Sequence, residues 1–342
     1  MFDFTAPDHI LGEKAMLIIS KAEIYQALEW TEAINAVADG FAALARKQAI
    51  VPQRMGFPQK AKNGILLLMP GVINSGELSG LGVKLVSVFN NNPAKNLPLI
   101  YGLVTLFDGD TGRPLALLDG GAVTAIRTGA VSGVATRLLA REDADTLALF
   151  GAGVQAETQL LAIATVRNLQ KVKIFSRSAD KARQFAAKMS AQTGIAIEVA
   201  ASPADALQGA DIVATATTSS KPVFDDKDLA DGTHINGVGS YSLDMTEVPA
   251  ETVVRARVII DTLDGCMSEG GDVVKPLIMG MFNRDHIYAE IGELCAGIKP
   301  ARQSNQEVTF FKSVGNAVQD VAFAAYMYRK ARELGMGTEV DL

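Results

Sequence analysis

Between Asp143 and about Asp261, short apolar runs alternate with longer amphipathic stretches. The runs fall at Thr146 to Phe150, Lys171 to Phe175, Ile197 to Ala200, Asp211 to Thr217, His234 to Gly239 and Val258 to Asp261. This alternation predicts strands joined by crossover helices, and hence a parallel, doubly wound α/β sheet. Ser202-Pro203 fits an N-cap followed by proline in the first helical turn, and Gly209 fits that helix's end. Upstream of Gly120 the pattern changes. Gly64 to Met69, Gly82 to Phe89 and Tyr101 to Asp108 are separated by Gly, Asn and Pro, which predicts a largely antiparallel sheet, with a turn at Asp108-Gly109-Asp110-Thr111-Gly112. A helix over Ala122 to Ala140 joins the two regions. Val314 to Leu334 reads as another amphipathic helix, with Val318, Val321, Ala325 and Tyr328 on related turns. Its natural destination is the first region, so the α/β unit, residues 128–315, is expected to be inserted into an α+β unit made of residues 1–127 and 316–342.

Leu147 to Phe150 runs straight into Gly151-Ala152-Gly153-Val154-Gln155-Ala156, a G-x-G-x-x-A turn opening a helix. Strand before and helix after are the context that a Rossmann-type dinucleotide site requires. Gly151 allows the tight turn, Gly153 lets the backbone approach a pyrophosphate, and the helix N-terminus offers unpaired N–H groups to the anion. A ribose-binding acid is usual at the end of the second strand in an NAD site. Ser176-Arg177-Ser178 stands there instead. A guanidinium and two hydroxyls suit a 2'-phosphate, which favours NADPH over NADH. The plainer alternative makes Ser178 a helix cap and Arg177 a solvated charge.

Composition adds exclusions. The 342 residues are 48% hydrophobic and 20% charged, with a net charge of −6, so the chain is an ordinary globular one with no basic run for nucleic acid. No apolar run reaches membrane-spanning length, and the N-terminus lacks signal-peptide features. Cys266 and Cys295 show no metal-ligand spacing and read as reduced thiols of a cytoplasmic protein. His9, His234 and His286 are scattered, which gives a histidine metal site little support. His234 reads as a satisfied core histidine.

Three cations stand in apolar or small-residue settings: Arg54, Lys84 and Arg127. A cation facing an interior is costly without an anion, so together they suggest an anionic substrate, most simply a carboxylate. Taken singly, each is also readable as a structural or solvated charge.

Val51-Pro-Gln-Arg54, Leu68-Met69-Pro70, Gly82-Val-Lys84, Thr124-Ala-Ile-Arg127-Thr128-Gly129-Ala130, Gly151-Ala-Gly-Val-Gln155, Asn236-Gly-Val-Gly239 and Phe311-Lys-Ser-Val-Gly315 with Asp320 occur in this order. In them the chain resembles the ornithine cyclodeaminase/mu-crystallin family along nearly its whole length. The resemblance implies a homodimer whose substrate-binding and dimerisation domain surrounds an inserted Rossmann domain. It implies that Arg54, Lys84 and Arg127 bind the substrate carboxylate and surround the reacting carbon. The expected coenzyme contacts are Thr128, Gly151, Gly153, Val154, Gln155, Ser176, Arg177, Ser178, Thr215, Thr217, Val238, Gly239, Val314 and Gly315.

Departures narrow the chemistry that the resemblance implies. Cyclodeaminases of the family carry a glutamate just before Leu-Met-Pro and an aspartate in the loop after Gly239. Here Leu67 and Tyr241 occupy those places, which leaves an ornithinium side chain unpaired. Asp244 matches the ketimine reductase branch. The expectation is therefore NAD(P)H-dependent reduction of a small cyclic imino acid, Δ1-pyrroline-2-carboxylate to L-proline first and the six-membered piperideine homologue second. Alanine dehydrogenase, ornithine cyclodeaminase and a non-catalytic NADPH-dependent binding protein are the alternatives. Lys84 is read as a carboxylate contact or as the proton donor to the imine nitrogen, Tyr241 as a polar contact or as packing, and Asp244 as a site residue or as a cap for a helix near Glu247. Asp320 is read as orienting Lys84 or Arg127, or as a solvated helix residue.

Overall fold

The computed structural model describes residues 15–341. His9 and the N-terminal stretch scanned for a signal lie outside the described residues.

The chain opens with β1 (Met16–Ile19), α1 (Lys21–Ala27) and α2 (Trp30–Ala45), followed by β2 (Ala49–Ile50), β3 (Met55–Gln59), β4 (Gly64–Ile73), β5 (Gly80–Phe89), β6 (Ile100–Phe107) and β7 (Pro114–Asp119). Helix α3 (Gly120–Leu139) then leads into β8 (Thr146–Phe150), α4 (Val154–Val166), β9 (Lys171–Phe175), α5 (Ala179–Thr193), β10 (Ala196–Val199), α6 (Pro203–Leu207), β11 (Ile212–Thr215) and β12 (His234–Gly237). The remainder comprises α7 (Ala250–Arg255), β13 (Arg257–Ile260), α8 (Leu263–Glu269), α9 (Gly271–Ile278), β14 (Ile287–Glu290), α10 (Ile291–Cys295), β15 (Thr309–Lys312), α11 (Ala317–Leu334) and β16 (Thr338–Val340).

Two sheets result. The first has the order β16-β1-β7-β6-β5-β4-β2, with β3 also on β4, and is antiparallel except for the β1–β7 pair. The second is parallel throughout, β10-β9-β8-β11-β12-β15-β13-β14. Its strand order reverses between β8 and β11, and ligands bind at the carboxyl edge beside such a reversal.

The structure amends the sequence reading in three places. β14 and β15 were not foreseen, and β15 passes between β12 and β13. The last long helix starts at Ala317 instead of Val314, because Asn316 caps it by accepting from Val318 N–H and Gly315 ahead of it has φ +87°. The helix near Glu247 is α7, which starts at Ala250 with Pro249 at its N-cap and no side-chain cap, so Asp244 does not cap it.

Helix α3 joins the two halves and runs unbroken across positions 127 and 128. It is buried nearly all round because small residues admit close neighbours. A Cβ on Gly129 would lie 2.5 Å from Thr158 O in α4, and one on Gly133 would lie 2.7 Å from Ile34 Cδ1 in α2. Helix α11 packs on the first sheet and on α2 and α3. Period-two alternation in β5 turns Lys84 and Val86 inward, with Lys84 opposite Met69 of β4 and Val104 of β6. Lys84 thereby enters the space between sheet, α3 and α11.

Candidate active site

The phosphate turn is shaped by two different glycine requirements. Gly151 has φ +112° and a Cβ there would meet Ala216 O at 2.5 Å, so the backbone itself demands glycine. At Gly153 a Cβ would meet nothing within 4 Å. That open space above the turn is where an anion can approach. Gly153 is also the N-cap of α4 and supplies no side-chain acceptor, so first-turn N–H groups point at the same space. The turn therefore fits a dinucleotide pyrophosphate.

A groove of about 700 Å³ passes over this turn, with Ser176, Arg177 and Lys181 on one side and Thr217, Thr218 and Ser219 on the other. Lys181, in the first turn of α5, was not anticipated from sequence; it puts a second cation beside Arg177. Ser178 does not line the groove. Its hydroxyl caps α5 by accepting from Lys181 N–H at 3.4 Å, the plainer of its two readings.

The groove shares Leu99, Ala216, Thr217 and Thr218 with an inner cavity of about 280 Å³. Among the expected coenzyme contacts, Thr128, Gln155, Thr217, Val238, Gly239, Val314 and Gly315 line this cavity. Val154 is 57% exposed and lines neither space. Thr215 is fully buried and donates to Glu247 Oε2 at 3.1 Å, so it supports the wall from behind.

Arg54, Lys84 and Arg127 converge on the inner cavity, whose apolar walls are formed by Leu67, Met69, Val86, Val88, Leu99 and Ile100. Asp320 of α11 is the internal counter-ion. Lys84 Nζ lies 2.9 and 2.8 Å from its two carboxylate oxygens, and Arg127 Nε lies 3.1 Å from Oδ1. Arg127 Nη1 also donates to Gln319 Oε1 at 2.7 Å. Lys84 and Asp320 are 2% and 1% exposed. Burial, with the Arg127 charge beside it and Asp320 opposing, lowers the Lys84 ammonium to about 7. Such a group exchanges a proton readily at neutral pH.

Tyr241 reaches the cavity, with 45% of its surface exposed. Asp244 does not reach it. Asp244 is exposed on the same loop, and its main-chain carbonyl accepts from Lys275 Nζ at 3.0 Å.

Further buried carboxylates, absent from the sequence reading, fix the walls. Asp261 Oδ2 accepts from Ser313 Oγ, Val314 N–H and Gly315 N–H, while the Val314 and Gly315 carbonyls accept from Arg54 Nη2 at 3.1 and 2.7 Å. Glu247 accepts from Thr217, Gly239 and Ser240 N–H and so ties the ends of β11 and β12 together. Asp272 pairs with fully buried Lys312 at 3.0 Å and accepts from Glu247 and Val248 N–H. Burial, reinforced by the Asp272 charge, pushes Glu247 up. Of these groups only Asp261 stands at the end of an apolar strand; Glu247 lies in the loop before α7 and Asp272 in α9, where the sequence carries no sign of them.

Other reactive side chains stand apart from this chemistry. His234 is pushed down to about 3 by burial, and its ring nitrogens are met by Thr309 Oγ1 and Asn236 Oδ1. Burial raises both thiols, Cys295 to about 12.

The arrangement can thus hold a small carboxylate at one end of an apolar cavity, next to a dinucleotide groove and an ionisable ammonium. A family model described as the ornithine cyclodeaminase/mu-crystallin family matches residues 13–335. The chain belongs to this family. It is 38% identical to a Δ1-pyrroline-2-carboxylate reductase of Bacillus cereus over 95% of this chain and all of that one. The structure of Thermococcus litoralis Δ1-pyrroline-2-carboxylate reductase in complex with NADH and L-proline is similar at TM-score 0.90 and 39% identity, covering 95% of this chain and 100% of that one. An archaeal alanine dehydrogenase dimer with bound NAD is similar at TM-score 0.88 and 31% identity, covering 95% and 99%.

The phosphate turn gives a direct prediction. Gly153→Ala should leave thermal stability within about 1 kcal/mol of wild type, since its Cβ has no protein neighbour, yet weaken coenzyme at least about tenfold. Calorimetric titration with the reduced coenzyme, beside a melting curve, checks both; unchanged coenzyme affinity would show that the space above the turn is not the pyrophosphate site.

Proposed function

We propose that this protein is an NAD(P)H-dependent ketimine reductase that converts Δ1-pyrroline-2-carboxylate to L-proline and accepts the six-membered homologue. The observation carrying this reading is the cavity itself, which combines three cations with apolar walls and has no Asp or Glu among the described residues that line it. A cyclic imino acid presents one carboxylate and an apolar ring. An ornithinium ammonium would find no partner there, which argues against cyclodeamination. The similarity to reductases at 38–39% identity over nearly the whole chain points the same way.

Arg54 and Arg127 hold the carboxylate, and the apolar walls orient the ring and exclude water. Lys84 Nζ holds the proton that makes the imine nitrogen cationic and electrophilic, with Asp320 keeping that ammonium in place. When bound, the reduced nicotinamide supplies the hydride to the imine carbon. Tyr241 closes the open side as a polar wall. We assign no role in turnover to Asp244.

Coenzyme choice follows from the groove rim. Ser176, Arg177 and Lys181 favour a 2'-phosphate, so we read the preference as NADPH, with NADH also used. The outer face of the first sheet presents Met55, Phe57, Leu66, Tyr101 and Leu103, each 40–53% exposed. Such a continuous apolar face supports a homodimer formed through this sheet. The two free thiols are in keeping with a cytoplasmic protein.

Three measurements test the reading. Mixing the protein with Δ1-pyrroline-2-carboxylate should deplete the absorbance of reduced nicotinamide, faster with NADPH than with NADH, and Arg177→Asp should move the coenzyme preference at least about tenfold toward NADH. Turnover with pyruvate plus ammonia alone would instead make it an alanine dehydrogenase, and an unchanged coenzyme ratio would reduce Arg177 to a surface charge. Because the Lys84 ammonium is lowered to about 7 and its protonated form is the reactive one, kcat/KM should be level at acid pH and fall about tenfold per unit above neutrality. A rate that rises through this range would contradict the donor role.

A further inference from the structure

Arg54 enters the cavity from the loop between β2 and β3, but it is held by the other sheet's elements. Its Nη2 donates to the Val314 and Gly315 carbonyls and lies 3.2 Å from Oε2 of Glu269, the last residue of α8. Among the described residues, the hydrogen bonds and ion pair of this guanidinium all run through Nη2. Nε and Nη1 are thus left for a ligand. Glu269 stands behind Arg54 and is not a wall of the cavity.

Charge balance gives Glu269 a second consequence. With Lys84 protonated, the three cations form ion pairs with two carboxylates, Asp320 and Glu269, while the nearby Asp261 charge is met by the Ser313 hydroxyl and the Val314 and Gly315 amides and not by a cation. Glu269 thus subtracts one unit of positive charge beside Arg54. A dicarboxylate brings one negative charge more than a monocarboxylate into a site where like charges interact strongly.

We propose that Glu269 is a positioning and specificity-determining residue: it holds Arg54 by one nitrogen and trims the charge of the cation cluster, so that the site takes monocarboxylic imino acids and rejects dicarboxylic ones. The inference rests on the carboxylate-binding role assigned above to Arg54. Glu269 touches neither substrate nor coenzyme.

The test compares wild type with Glu269→Gln, Glu269→Ala and Glu269→Asp, using the full chain saturated with reduced coenzyme. Affinities are measured by calorimetry for pyrrole-2-carboxylate, a planar monoanion of the same ring size, and for pyrrole-2,5-dicarboxylate. In wild type and Glu269→Asp the monoanion should bind more tightly. In Glu269→Gln and Glu269→Ala the ratio of the two affinities should move toward the dianion by about tenfold or more, with coenzyme affinity held within about twofold. For the cyclic imine, the same two variants should raise KM more than they lower kcat. A purely structural role would weaken both pyrrole ligands alike; an unmoved ratio in the charge-removing variants overturns the proposal. Binding is read without turnover, so a shifted ratio in a protein that does not reduce the cyclic imine would reject the reductase reading and uphold the role of Glu269.

Discussion

The buried carboxylate of Asp320 is the interaction on which the site depends. It joins three elements that reach it by different routes: β5 through Lys84, α3 through Arg127, and α11, which carries Asp320 itself. Without it two cations would lie nearly dry within one small space, and breaking such a buried pair costs about 3–5 kcal/mol. With it the cations are held side by side and remain under-neutralised. That residual positive potential makes the cavity a receptor for an anion, and burial, with the Arg127 charge beside it, lowers the Lys84 ammonium to about 7. Structure and reactivity therefore both depend on how these buried charges are compensated.

The same device recurs around the carboxyl edge of the parallel sheet. Asp261 gathers the amides of the 313–315 loop, while Arg54 takes two of that loop's carbonyls from the other side. Glu247 ties the loops after β11 and β12, and Asp272 with Lys312 ties Glu247 in turn. Each carboxylate accepts several backbone donors, which fixes loop positions that apolar packing alone would leave loose. Two sheets are thus brought into register at the place where coenzyme and substrate must meet within bonding distance. Preorganisation of this kind is most of what transfer to a polarised C=N bond asks of a protein.

Much of this was legible in the sequence because it rests on local periodicity. The central strands, the glycine turn and the long helix α3 follow from patterns a few residues long. Arg54, Lys84 and Arg127 were singled out by their incongruity in apolar or small-residue surroundings, an energetic argument independent of topology, and were placed about the reacting carbon by the family resemblance. What escaped was non-local. β15 was hidden because Thr309 to Lys312 lies against the start of a helical pattern, and only pairing with β12 and β13 distinguishes it. Glu247, Asp261, Asp272 and Glu269 carry no motif; their partners are distant in sequence or belong to the backbone. The side chains of Thr215, Ser178 and Asp244 adjoin the site in sequence but are kept from its cavities by burial behind the wall, capping or outward exposure. Val154 exposes its side chain, while its main-chain N–H belongs to the first turn of α4 beside the open space above Gly153.

The central claim is that the cation cluster serves the substrate and not the coenzyme. Steady-state kinetics of Arg127→Ala with Δ1-pyrroline-2-carboxylate, beside titration of the same variant with reduced coenzyme, tests it most directly. The account predicts a fall in kcat/KM of at least about a hundredfold with coenzyme affinity kept within about threefold. Near-normal turnover, or a loss confined to coenzyme binding, would contradict it.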